Sequence, residues 1–170
     1  FILSFNWINV IYPAQLSIDK MKKDYEQSAK KYSLPSFKQI NEDFEIEKIE
    51  RESDALLRTI RKIMMEKIVN SLSFLEMLMN PMNAPRMYFS FISSLSVEDK
   101  NRIDKLYSLF AELTILALNR EIDYEEKREA ELIKRIFDSW NSSKQDFRNI
   151  LSRINMPNNN HVKKDRSYFS

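Results

Sequence analysis

Residues Glu45–Met79 read EIEKIERESDALLRTIRKIMMEKIVNSLSFLEMLM, a run without Pro or Gly. As one α-helix it predicts a rod of roughly 50 Å at about 1.5 Å per residue. On a helical wheel Ile49, Leu56, Leu57, Ile60, Ile63, Met64, Ile68, Leu72, Leu75, Leu78 and Met79 gather on one side, the stripe of a core-facing helix. The opposite side begins with Glu47, Arg51, Asp54, Arg58 and Lys62, charges of mixed sign at three- and four-residue spacing, as on a solvated face. Beyond Lys62 that side turns apolar with Met65, Val69 and Met77, so the second half of the rod predicts enclosure by other helices or by another subunit.

The rest of the 170-residue chain supports this helical reading. Hydrophobic residues make up 43%, enough for one sizeable core, and the length suits a single domain. Glycine is absent, which excludes a P-loop, a dinucleotide-binding fingerprint and most tight hairpins, all of which need positive φ or close backbone approach. Lys, Glu, Leu and Met favour helix over strand, so the expected fold is all-α: an antiparallel bundle of three long helices plus shorter ones. A net charge of +2 is too small for a general polyanion binder. With no Cys there are no disulfides, thiol nucleophiles or Cys-ligated metals, and a cytoplasmic protein is the expectation.

In chain order, FILSFNWINVIYP is too short to span a bilayer and lacks a basic leader or small-residue cleavage site. Met21 opens a soluble-type start, MKKDYEQSAKK. Residues 1–20 therefore read as a separate apolar segment, either outside the natural chain, or covering an apolar surface or embedding shallowly in a membrane interface. The bundle domain is expected over 21–156. A first helix is predicted from Ser17 to Tyr32, broken at Pro35, with Phe37, Ile40 and Phe44 of the next segment plugging the base of the long helix. Pro81 and Pro85 enforce a turn before the apolar element Arg86–Ser94. Ser96 and Asp99 form a capping box that opens a helix to about Asn119, with a seam of Ile103, Leu106, Phe110, Leu113 and Ala117. Asp123 is the predicted cap of a last helix reaching Ile154, with Ile133, Phe137, Trp140, Phe147, Leu151 and Ile154 as its seam and Lys144 the polar member of that register. Residues 157–170 read as a polar, basic, disordered tail.

Chemistry is sparse. The lone histidine, His161, cannot supply a catalytic zinc set or the paired Glu-x-x-His motifs of a di-iron bundle, so no metal or cofactor is expected. Glu76 and Glu112 lie in apolar contexts, where a carboxylate is either buried with a raised pKa or paired with Arg86, Arg120 or a tyrosine hydroxyl. The pairs Glu47/Glu50 and Glu126/Glu129 have Glu-x-x-Glu spacing, which places both carboxylates on one helix face. The first pair resembles the Mg²⁺-holding motif of the all-α nucleoside triphosphate pyrophosphohydrolases, although their second motif, Glu-x-x-Asp, does not follow Glu126.

Leu56–Leu72, LLRTIRKIMMEKIVNSL, followed after a Pro-containing loop by LSVEDKNRIDKLYSLF, Leu95–Phe110, resembles the helical domain of the GINS replication subunits. The resemblance spans about a third of the chain and departs from the family where a further long helix replaces a β-domain. It implies a non-enzymatic assembly subunit in DNA replication.

The expected function is a non-enzymatic helical scaffold or interaction subunit with a protein partner or further copies of itself. Its interface candidates are Met65, Val69, Met77, Tyr88, Phe89 and Phe91. The alternatives are a nucleic-acid accessory using Arg51, Arg58, Lys62, Lys163, Lys164 and Arg166, and the Mg²⁺-dependent pyrophosphohydrolase.

Overall fold

The structure, a computed structural model, describes residues 8–49 and 55–154. Among the described residues it is all-α, without a strand. Helix α1 spans Ile8–Tyr32 and α2 Phe37–Phe44; after a 3-10 turn at Ile46–Lys48 comes α3, Leu56–Met79. Two 3-10 turns and the short α4, Phe89–Ser94, lead to α5, Val97–Ile122, and α6, Glu126–Ile154. Four helices are thus long, one more than expected, because α1 begins at Ile8 and reaches 25 residues.

Helices α3, α5 and α6 pack on one another as the central triad. Their directions follow from paired residues. Arg61 meets Glu129 and Phe74 meets Phe147, so α3 and α6 run parallel. Arg61 meets Glu121, and Glu112 meets Arg135 while Asp99 meets Arg153, so α5 runs antiparallel to both. Each helix contributes a heptad-like seam with alternating steps of three and four, the spacing that keeps one stripe on its neighbours. On α3 the buried seam is Leu57, Arg61, Met64, Ile68, Ser71, Leu75 and Leu78. On α5 it is Asp99, Ile103, Leu106, Phe110, Leu113 and Ala117, with every expected apolar member buried.

The α6 seam differs from expectation. Glu129, Ile133, Ile136, Trp140, Ser143 and Ile150 are buried and Phe147 is half-buried in register with them, whereas Leu151 is exposed and Phe137 lies at the flank. The largest side chains misled the register because two true seam positions are polar. Glu129 is paired with Arg61, and the Ser143 hydroxyl donates to the Ser139 carbonyl at 2.6 Å, so neither position needs an apolar residue.

The central rod is also shorter than the Glu45–Met79 reading. Ser36 and Gln39 form a capping box that starts α2, and Glu45 at φ 53° in the left-handed region ends it, its N–H donating to the Asn41 carbonyl. Local capping chemistry therefore takes Phe37–Phe44 as a helix of its own, and α3 starts eleven residues later than the wheel implied. Ser33 at φ 54° likewise ends α1, with the Leu34 N–H returning to the Ala29 carbonyl. In a chain without glycine both left-handed positions fall on residues that carry a Cβ.

The capping box at Ser96 and Asp99 is formed as expected: each backbone N–H donates to the other's side chain, at 3.0 and 3.1 Å. Asp123, by contrast, ends α5 rather than opening α6, because α5 continues to Ile122 and α6 starts at Glu126.

Candidate interaction surface

At one end of the triad the usual arrangement of charge and hydrocarbon is reversed. Arg61 lies inside the α3 seam, 2% exposed, and its Nε donates to Glu129 Oε2 at 2.6 Å. Its Nη2 donates to Glu121 Oε1, also at 2.6 Å. Lys62 Nζ reaches the other Glu121 oxygen at 3.3 Å, and Arg58 Nε lies 3.6 Å from Glu129 Oε1 with its guanidinium 4.7 Å over the Tyr124 ring. Burial works against the charge on Arg61, but the hydrogen bonds to Glu121 and Glu129 outweigh it and hold its pKa above the ordinary value. The hydrogen bond from Arg61 holds the Glu121 carboxyl below the usual range. This cluster ties α3 to both partners at once. Removing one member of such a buried pair leaves an uncompensated charge.

Beside it, hydrocarbon faces solvent. Ile115, Leu118 and Ile122 on α5 are 61%, 63% and 79% exposed, and Val69 of α3 is 40% exposed next to them. A shallow cleft of about 190 Å³ between α3 and α5 joins Val69 to Leu118, with Met65, Thr114 and Ala117 in its lining. Along the outer row of α5, Asn101, Asp104, Lys105 and Ser108 are exposed and polar; half-buried Ala111 follows, then exposed Ile115, Leu118 and Ile122, flanked by exposed Glu112, Asn119 and Glu121. Solvation explains the first half and not the second. At the far end of the bundle Met79, Met82, Met87, Phe89 and Val97 form another exposed apolar group, around the turns after α3.

The sequence-predicted residues distribute unevenly over these regions. Val69 and Phe89 are exposed, Met77 and Tyr88 half-buried, and Met65 and Phe91 lie in the core. Thus the six candidates do not form one face: Val69 belongs with α5, and Phe89 with the methionine-rich end. Of the basic candidates, Arg58 and Lys62 face the carboxylates just described, while Arg51, Lys163, Lys164 and Arg166 fall outside the described residues. The Glu47/Glu50 pair is described only at Glu47, which accepts from the Asn41 amide at 2.9 Å. Glu126 and Glu129 diverge, the first to Lys31 and the second to Arg61. Glu76 and Glu112 are both exposed, and Glu112 pairs with Arg135 at 2.5 Å, so neither is a buried acid.

An open groove of about 790 Å³ lies between α3 and α6 below α2. Asp43 and Lys67 in its lining are engaged from within. Lys67 donates to the Asp43 carbonyl and sits 4.7 Å over the Trp140 ring, while Lys144 binds the Asp43 carboxylate at 2.6 Å. These contacts latch α2 onto the triad rather than leaving convergent groups for a ligand. Among the described residues there is no cluster of three or more metal-ligating side chains, and no helix is long and apolar enough to cross a membrane.

Comparison of the chain with protein-family models, with curated proteins and with solved structures finds no match.

Proposed function

We propose that the protein is a non-enzymatic helical interaction subunit that docks through the outer face of α5 together with Val69. The observation that carries this reading is the row of Ile115, Leu118 and Ile122, each more than half exposed on a helix whose outward residues from Asn101 to Ser108 are polar. A large aliphatic side chain left in water forgoes about 1.5–3 kcal/mol of burial. Three in a row on a rigid helix make a preformed hot spot that loses little entropy when covered. The buried cluster beneath contributes the rigidity, since Glu121 near the end of the exposed row is pinned from behind by Arg61 and Lys62.

A photo-reactive amino acid at position 118, in cells that express the protein, tests the reading. Adducts with protein are expected at 118 and not at position 105, on the polar half of the same helix. An absence of adducts at 118 overturns it.

A further inference from the structure

Half-buried Ala111 and exposed Ile115, Leu118 and Ile122 repeat on the outer side of α5 the four-three-four spacing that α3, α5 and α6 use inside the fold. We propose that this outer seam is the self-association surface of the protein, on which a second copy lays its own α5 antiparallel about a two-fold axis between Leu116 and Ala117. The inference rests on the interaction reading above and names its partner.

A two-fold interface demands self-complementarity of a single patch. An antiparallel pairing about that axis sets Ile115 against the partner's Leu118 and Ala111 against the partner's Ile122. The two central layers are then branched side chain on branched side chain, and the two outer layers small on large, so that volumes match in every layer. A parallel pairing instead opposes Ala111 with its own copy and Ile122 with its own copy, leaving a gap in one layer and crowding in another.

The flanks agree with the antiparallel choice. It places Glu112 beside the partner's Asn119, and Thr114 beside the partner's Glu121, so no like charges meet at the positions that set pairing in coiled coils. Glu112 and Glu121 keep their intramolecular cations, Arg135 and Arg61 with Lys62, and arrive already neutralised.

The apolar patch, widened by Val69, is of the few-hundred-Å² size that marks functional surfaces on monomers and falls below the roughly 800 Å² per partner of a standard interface. A patch of this size fits a weak, reversible dimer.

The chain has no cysteine, so introduced thiols report on the register alone. Sedimentation velocity of the full chain over a micromolar concentration series is expected to show a monomer–dimer equilibrium, with Leu118→Glu raising the dissociation constant at least tenfold at unchanged circular dichroism. Ile122→Glu serves as the second variant. Under oxidation, Ala111→Cys mixed with Ile122→Cys is expected to cross-link. Ala111→Cys alone is expected not to, because the two copies of position 111 lie eleven residues apart along the pair, roughly 16 Å against the about 7 Å limit between Cα atoms in a disulfide.

A dimer that survives both Glu variants overturns the proposal, as does self-cross-linking of Ala111→Cys. A monomer at every concentration also overturns it. If that monomer still forms adducts with another protein from position 118, the interaction reading stands without the second copy; if it forms none, both fall.

Discussion

Helix α5 and the head of α3 treat water in opposite ways although they touch. The head of α3 places Arg61 in its seam and, with α6, buries Glu129 completely; α5, one helix diameter away, leaves Ile115, Leu118 and Ile122 in solvent. A buried ion pair adds little net stability over a hydrophobic pair, but it penalises any register that separates the charges. Exposed aliphatics add nothing to the isolated fold. The first region spends polarity on specificity within the chain, and the second leaves in water the hydrocarbon on which the proposed docking rests.

The largest effect that breaks this contrast is at Arg61. Arg61→Ala leaves Glu129 charged and buried, and urea unfolding should show a loss of about 3–5 kcal/mol, whereas Arg61→Met combined with Glu129→Leu should recover most of it. Next comes a comparison within α5. Leu113→Ala, on the inner seam, should destabilise by about 2–5 kcal/mol, and Leu118→Ala, on the outer one, by less than about 0.5 kcal/mol at protein concentrations low enough to keep the chain monomeric. Equal losses would make the outer row part of the core and dissolve the distinction.

Acid should act through the charged region. The hydrogen bond from Arg61 holds Glu121 below its usual 4.5, and Asp99 is held below 3.8 because bonds from Ser96, with Arg153 and Arg102 nearby, outweigh the effect of its burial. For carboxyls depressed by folding, the stabilisation is complete above the unfolded value and is lost as pH falls through the folded one. Unfolding free energy should therefore be level above about pH 5 and decline below about pH 4.5, and Glu121→Gln should shallow that decline. A small effect of opposite sign is Ser33→Gly, which relieves a left-handed residue at the end of α1 and should stabilise by about 1 kcal/mol.

Most of the architecture was legible because it rests on periodicity and capping. The inner seam of α5 and the Ser96 capping box both appear in the sequence as they do in the fold. The α6 seam did not, since reading seams as apolar stripes passes over Glu129 and Ser143, whose burial depends on partners sixty-eight residues away and one turn back, respectively. The candidate surface was half legible. Val69 was marked by the change of character on the outer side of the long helix, but Ile115 and Leu118 read as a broadening of the core stripe and Ile122 lay beyond the expected helix end, because a wheel cannot say which side of an all-apolar half-helix is covered. The spacing of Ala111, Ile115, Leu118 and Ile122 was present all along; only packing reveals that Ile103, Leu106, Phe110, Leu113 and Ala117 already satisfy the fold without it.

The most direct test of the outer seam as an interface is the dependence of thermal unfolding on protein concentration. Association through the folded state ties the melting temperature to concentration by mass action. The account predicts a midpoint that climbs with concentration for the natural chain and stays level for Leu118→Glu, with the two converging at high dilution. A midpoint independent of concentration in both, or one that climbs equally in both, would contradict it.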